Sequence, residues 1–523
     1  MDLFWNTLIQ NAKIFAQSGR FEEMLDVCRQ ILERKADDVD ALMDAGALLL
    51  NFGYLILARR CFECVCALRP YDIRPVVNIA NITREAGDHA QSRRIYENLL
   101  AAQPDQPVIR RNFLVSQEYD PSVSDVERFH HARSWGEWAI AKAGGLRSRP
   151  VLTLDVGEPL RIGYVSADFC QHTVGLFLKA VLQAHDTSKV RVFAYSAGSV
   201  NDWVTEEIRR CTFFRDVSTI NDVALAKLIT QDEIDVLIDL SGHTAGSRLT
   251  VFAMRPAAVQ VSWLGYFATT GLSYVDAVLV DEWHVPPGTE AQFVEQIVCL
   301  PSGRFCYQPP SWAPAEVSAL PCITAGHIIF GCFNNTAKMN DGVFDVWAKV
   351  LCAVPDSRLV LKWRTLVDET LKDTIRQAFA ERGVDSWRIE LRPASFHVDV
   401  LKEYADIDIA LDPFPFTGGL TSCEALWMGV PVVTWPQSRV VSRQTFAFLS
   451  AIGLPELAAK DALDYVAIAA TLAGDRERLV ELRSGMRNKM KHSPLMDPNR
   501  FTRELEDTLH QVYRRIQNRE RQC

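Results

Sequence analysis

Three glycines, Gly19, Gly53 and Gly87, recur at a spacing of 34 residues. Other columns keep the same interval. Pro70 and Pro104, Phe62 and Tyr96, and Ala58 and Ser92 are each 34 apart. Leu8, Leu42 and Val76 share a phase, followed by Ala12, Gly46 and Ala80. A unit of this length is a helix pair that buries its apolar face only by stacking on the next pair. The small residues then mark helix crossings, and Pro closes each unit. The first unit is the least typical, with Met24, Cys28 and Ala36 in its later columns. Three helix pairs are predicted over residues 1–104.

This period and these columns resemble the tetratricopeptide repeat, an all-α solenoid with a concave peptide-binding face. The alternative is a packing or dimerisation module that makes a homo-oligomer. Residues 105–159 are predicted as a helical connector and linker. Its helix runs over 107–143 with Phe129, Trp135 and Trp138 as apolar anchors. AGGLRSRPVLTLDVGEP (143–159) reads as linker by its Gly, Pro and Ser content.

From Leu160 the pattern changes to alternating strands and helices. LRIGYVSADF (160–169), VRVFAYS (190–196), IDVLIDLSG (234–242), AVQVSWLGY (258–266) and VDAVLVDE (275–282) read as strands. VALAKLITQDE (223–233) is one of the helices between them. This predicts a mainly parallel, doubly wound sheet over 160–310. His172 and His243 follow strand ends, where ligands bind in such sheets. Each is either a surface loop histidine or a catalytic group.

A second α/β region spans 325–490. HIIFGCF (327–333), RLVLKW (358–363) and RIELRP (388–393) are strands, and a helix starts near Asp341. The helical tail, 462–519, is predicted to cross back over the first sheet, and 491–523 forms the C-terminal helix. Two Rossmann-like domains in tandem leave a cleft suited to a ligand.

The stretch DIALDPFPFTGGLTSCEALWMGVPVVTW (408–435) is a βαβ unit with a Gly-rich turn. Thr421-Ser422-Cys423-Glu424 fits a capping box at the helix start. The turn is either an ordinary βα connection or an anion site at a helix N-terminus. Lys338, just past a strand end, is either a solvated loop charge or a cation for a leaving diphosphate. Asp406-Ile407-Asp408 has the D-x-D spacing of metal-dependent sugar transferases, but the apolar Ile407 and the strand at Asp408 make it structural. No metal site is expected. Neither sheet opens with G-x-G-x-x-G, which argues against a dinucleotide redox enzyme.

A length of 523 residues allows roughly three domains. The net charge of −9 argues against a nucleic-acid binder. MDLFWNTLIQNAKIFAQ lacks signal-peptide character, and no apolar run reaches the ~18 residues of a membrane span. A cytoplasmic protein with reduced cysteines is expected. Cys61, Cys64 and Cys66 cluster without a second Cys/His pair and read as core packing.

RIGYVSADFCQH, DLSGHTAGSR, RPAAVQVSWLGY, FGCFNNTAK and ALDPFPFTGGLTSCEALWMGVPVVT resemble the O-linked N-acetylglucosamine transferase and Spindly family. The resemblance covers nearly the whole chain. It implies a GT-B region after the repeats. It also implies an inverting, metal-independent protein O-glycosyltransferase using UDP-GlcNAc as substrate, with no cofactor. The acceptor protein would be recognised through the repeats. By matching position, His172 takes the place of the family's base histidine, with His243 its rival. Lys338 takes that of the lysine on the donor diphosphate. Thr421 and Ser422 take those at the phosphate-binding helix. Asn335, His397, Gly418, Gly419 and Glu424 complete the implied nucleotide-sugar set. Three positions depart from the family. Asn335 stands where the animal enzymes have Gln, and Val400 where many members have His. LGYFATTG replaces LGYPGTSG. GDP-fucose or another nucleotide hexose is the alternative donor, and an inactive repeat scaffold or a small-molecule transferase the alternative function. The repeats are expected to be separable from donor binding.

Overall fold

A computed structural model describes residues 2–34, 38–152, 154 and 157–522. Ala36 of the first repeat and residues 153, 155 and 156 of the expected linker lie outside the described residues. The chain forms two compact units. One comprises Met1–Asp120, Ser318–Phe414 and Ala462–Val480, the other Pro121–Val317, Pro415–Asp461 and Glu481–Cys523.

The first unit opens with the three predicted helix pairs. They are α1 (Asp2–Gln17), α2 (Phe21–Glu33), α3 (Val39–Asn51), α4 (Leu55–Leu68), α5 (Ile73–Glu85) and α6 (His89–Ala102). Each pair turns on one of the periodic glycines, at φ 72° for Gly19 and 88° for Gly53 and Gly87. That left-handed conformation is open to glycine and strained for other residues. The small-residue column has the expected cause. A Cβ on Gly46 would lie 2.7 Å from the Phe62 ring, and the Ser92 hydroxyl donates to the Ala80 carbonyl at 2.9 Å. The helix predicted over 107–143 is two helices, α7 (Pro107–Tyr119) and α8 (Asp125–Lys142). Asp120 precedes Pro121 and is extended at φ −83°, ψ 110°, because the proline ring disfavours a helical residue before it. Ser124 and Glu127 then form a capping box that starts α8.

The second unit holds β1 (Leu160–Ser166), β2 (Val190–Ser196), β3 (Phe213–Asp216), β4 (Val236–Asp239), β5 (Val259–Ser262), β6 (Ala277–Val280) and β7 (Gln296–Cys299). They line up as β3-β2-β1-β4-β5-β6-β7, all parallel. The order reverses between β1 and β4, the switch point of a doubly wound sheet. The central strands β4, β5 and β6 are buried throughout, as a sheet covered on both faces requires. β3 and β7 were not predicted. Both are four-residue edge strands with exposed ends. The C-terminal helix Pro498–Gln522 lies on α9 (Thr173–Ala184), with the Thr502 hydroxyl on the Val181 carbonyl at 3.3 Å.

The sheet of the first unit runs β10-β9-β8-β11, again parallel. Its strands are β8 (Ile329–Cys332), β9 (Arg358–Lys362), β10 (Ile389–Arg392) and β11 (Ile409–Leu411). Asn340 caps the helix Asp341–Ala353 by accepting from Val343 N. The tail does not cross back as one piece. Its helix Ala462–Gly474 stays on this sheet, where the Tyr465 hydroxyl accepts from Trp347 Nε1 and donates to the Asp412 carbonyl. Among the described residues no helix is long and apolar enough to cross a membrane.

The repeats contact the second α/β region directly. Ile56 N donates to Asp368 Oδ2 at 2.9 Å, and Arg364 Nη1 donates to the Leu50 carbonyl at 2.6 Å. The helix array and the second sheet are joined within one unit.

Candidate functional site

In the first unit, β8 ends at Cys332 and runs into Asn334, Asn335 and a 3₁₀ turn, Thr336–Lys338. Asn335 Oδ1 accepts from Ala337 N at 2.9 Å and so fixes the turn. Lys338 Nζ donates to Asn334 Oδ1 at 2.9 Å. Lys338 as a residue is half-buried, and loss of water around its ammonium pulls the pKa down to about 8, against the opposing pull of Asp412 and the Cys332 thiol. Asp412 is itself buried and follows β11, the strand paired with β8. The carboxyl ends of two neighbouring strands thus present a cation whose charge is held at some cost.

Asp408 is fully buried. Its two oxygens accept from Cys322 N at 3.1 Å and Ile329 N at 2.8 Å. Asp406 pairs with Arg392 at 2.6 Å. The D-x-D is a strand anchor beside a salt bridge. His397 opens the helix His397–Glu403 half-buried, and Val400 faces no polar task in it.

In the second unit, His172 is the N-cap of α9 and its ring is half exposed. Gly175 lets this helix approach the loop, since a Cβ there would meet the Cys170 carbonyl at 2.1 Å. The loop is braced from the helix Trp203–Cys211. Gln171 N donates to Asp202 Oδ2 at 2.6 Å, Trp203 Nε1 to Gln171 Oε1 at 2.9 Å, and the Thr205 hydroxyl to the Phe169 carbonyl at 2.6 Å. His172 Nδ1 lies 3.4 Å from Val174 N and 3.7 Å from Asp168 Oδ1. These two partners demand opposite tautomers. Val174 needs a lone pair on Nδ1, whereas Asp168 needs a proton there. The bond present is the one from Val174 N, which leaves the proton on Nε2; moving that proton to Nδ1, toward Asp168, would free the Nε2 lone pair for an incoming proton. Burial raises the Asp168 pKa, and His172 counteracts it.

His243 is buried, at 1% exposure. Its Nε2 is 2.9 Å from the Thr270 carbonyl and must carry a proton to bond there. The rings of Trp135 and Tyr266 meet it edge-on at 4.5 and 5.2 Å. Trp135 reaches it because α8 comes very close to the 269–272 loop. A Cβ on Gly136 would sit 1.8 Å from the Gly271 carbonyl. Asp239 holds the loop that carries His243 by accepting from Ser241 N and Gly242 N, and burial pushes its pKa up to about 7.

The helix after the Gly-rich turn starts at Leu420, with Gly419 at the N-cap and no side-chain cap. The predicted capping box is therefore absent. Thr421 stands inside the first turn, half-buried, beside the half-buried Gly419 and the buried Gly418. Ser422 and Glu424 point to the interior, at 3% exposure each. The Ser422 hydroxyl bonds that of Thr445 at 2.8 Å, and Thr445 reaches the Gly418 carbonyl at 3.2 Å. Ser422 therefore fastens the turn.

The structure adds Asn334, Asp412 and Asp168 to the set. Asp168 stands four residues before His172 and Asn334 four before Lys338, spacings that a search for chemical pairs would have caught.

Residues 149–308 and 320–505 match Glycosyl transferase family 41. A protein of Oryza sativa subsp. japonica named probable UDP-N-acetylglucosamine--peptide N-acetylglucosaminyltransferase SPINDLY is 37% identical over 428 residues, 80% of this chain and 46% of that protein. The UDP-N-acetylglucosamine--peptide N-acetylglucosaminyltransferase of Caenorhabditis elegans is 26% identical over 480 residues, 69% of this chain and 41% of that protein. The chain thus spans about half the length of the curated relatives it matches. A solved structure of an O-GlcNAc transferase mutant from Thermobaculum terrenum is 32% identical with a TM-score of 0.89, covering 99% of this chain and 98% of that one. The architecture is a GT-B glycosyltransferase preceded by tetratricopeptide repeats. The chain belongs to glycosyl transferase family 41.

Proposed function

We propose that the protein is an inverting protein O-glycosyltransferase that moves N-acetylglucosamine from UDP-GlcNAc to Ser or Thr of a protein acceptor. The observation that carries this reading is Lys338, a half-buried residue whose ammonium is held by Asn334 at the carboxyl ends of β8 and β11. The acceptor hydroxyl oxygen bonds to the anomeric carbon as the bond from that carbon to the diphosphate oxygen breaks. The electron pair leaves on the diphosphate, where Lys338 stabilises it. The hydroxyl proton passes to His172 Nε2, with Asp168 on Nδ1. The family resemblance assigns the donor to Gly418, Gly419 and Thr421, at a helix N-terminus, and to Asn335 and His397. His243 supports the 269–272 loop. The repeats receive the acceptor, and a cytoplasmic setting is proposed with them on the scattered cysteines.

GDP-fucose is the second reading. It is favoured by the apolar Val400, which offers a nucleotide no hydrogen bond, and by Asn335, whose oxygen is engaged in its own turn. Release of free UDP and N-acetylglucosamine from UDP-GlcNAc by the purified chain, lost in Lys338→Ala, tests the first reading. Turnover of GDP-fucose alone selects the second.

A further inference from the structure

The periodic glycines do two different things. Gly19, Gly53 and Gly87 share one left-handed turn conformation, yet their surroundings differ. A Cβ on Gly19 would meet nothing within 4 Å. One on Gly53 would lie 2.3 Å from the Arg364 carbonyl oxygen, and one on Gly87 2.7 Å from the Met339 carbonyl oxygen. Both obstacles are backbone, so neither can swing aside. The turns of the second and third repeats are seated on loops at the carboxyl ends of β8 and β9.

Side chains lock that seat. The Thr336 hydroxyl is buried, donates to the Glu85 carbonyl at 2.8 Å and pairs with the Thr365 hydroxyl at 2.7 Å. Having one proton, which goes to Glu85, it takes its second bond from Thr365. Arg364 reaches both repeat turns. Its Nη1 donates to the Leu50 carbonyl at 2.6 Å, and its Nη2 meets Glu85 Oε2 at 3.1 Å. Glu85 is 6% exposed, so the Thr336 bond and the carboxylate end of the ion pair are shielded from competing water. Thr336 starts the 3₁₀ turn that ends at Lys338. The Ala337, Lys338 and Met339 amides are satisfied inside this turn, by Asn335 Oδ1, the Asn335 carbonyl and the Thr336 carbonyl. The turn closes on itself, and its outside anchor runs to the third repeat.

We infer that the third repeat is a working part of the donor half: Glu85 and Gly87 hold the Asn334–Met339 loop, and the place of Lys338 is set from within the repeat array. Glu85, Gly87 and Thr336 are positioning residues, since none is argued to touch the donor. The inference rests on the reading that Lys338 carries the donor diphosphate. It replaces the expectation that the repeats can be removed without cost to donor binding. A shift of about 1 Å in such a group costs on the order of 10²-fold in rate.

The test is amide hydrogen exchange of the full chain without donor, joined to donor and acceptor kinetics. Gly87→Ala and Thr336→Val should raise exchange at Ala337, Lys338 and Met339 by about tenfold or more. Thr336→Ser, which restores the hydroxyl, should return it to the wild-type rate. Gly19→Ala imposes the same turn strain without the collision and should leave the loop unchanged. Donor KM should rise about tenfold in Gly87→Ala and Thr336→Val with acceptor KM unmoved. Wild-type exchange in both variants, or an equal rise in Gly19→Ala, would overturn the inference. If Gly87→Ala fails to fold, Thr336→Val decides, because it is nearly isosteric. A wild-type chain that binds no UDP-GlcNAc would sink the functional reading alone, because exchange is measured without donor.

Discussion

The Lys338 ammonium lies 2.9 Å from Asn334 Oδ1, a neutral partner, while the carboxylate that attracts it, Asp412, directly follows the neighbouring strand. Asn334 therefore orients the ammonium, and Asp412 favours its charged form. Lys338→Ala should lower kcat/KM by about 10²-fold or more. Burial has brought its pKa down to about 8, so the free enzyme holds the proton below that pH and loses it above. The kcat/KM for donor should fall as pH rises through about 8, with kcat less affected. Lys338→Arg stays charged throughout, and this limb should vanish from whatever activity it keeps. A pH profile that is flat to pH 9.5 in the wild type would contradict the assignment.

His172 and Asp168 make a tautomer argument that a conservative change can check. Asp168→Asn keeps the shape but favours an Nδ1 that accepts, leaving Nε2 protonated and unable to take a proton. Both His172→Ala and Asp168→Asn should cut kcat by about 10²–10⁴-fold. Donor KM should change little. Full activity in His172→Ala with a dead His243→Ala would exchange the two histidines.

Trp135 packs on His243 in the second unit. Trp135→Ala removes a buried aromatic and should cost about 3–5 kcal/mol of stability. Urea unfolding monitored by circular dichroism measures it. A midpoint equal to wild type would show that α8 does not support the 269–272 loop.

Much of this was legible in the residues, and the misreadings have physical causes. The period of 34 exposed the helix pairs, because turn glycines and crossing residues repeat locally. Why Gly53 and Gly87 are also needed for docking was hidden, since their obstacles, Arg364 and Met339, lie far along the chain. Asp408 read as structural and is, because a buried carboxylate at a strand start finds backbone donors. The capping box at Thr421 failed because Gly418 and Gly419 let the helix begin two residues early, at Leu420. Ser422 and Glu424 turned inward as a result. β3 and β7 escaped because they are four-residue edge strands with exposed ends.

Asp408 has both oxygens on backbone N–H groups and Asp406 pairs with Arg392. With Lys338 and a helix N-terminus for the diphosphate, turnover should be unchanged by EDTA. Activity lost to the chelator and restored by Mn²⁺ would return the D-x-D to the donor.

The central claim is a uridine-nucleotide sugar donor held through Lys338. Calorimetric titration of the full chain with UDP-GlcNAc and GDP-fucose, in wild type and Lys338→Ala, tests it most directly. The account predicts binding of UDP-GlcNAc to the wild type, weakened at least tenfold in Lys338→Ala, and no binding of GDP-fucose. Binding of GDP-fucose alone, or UDP-GlcNAc affinity untouched by Lys338→Ala, would contradict it.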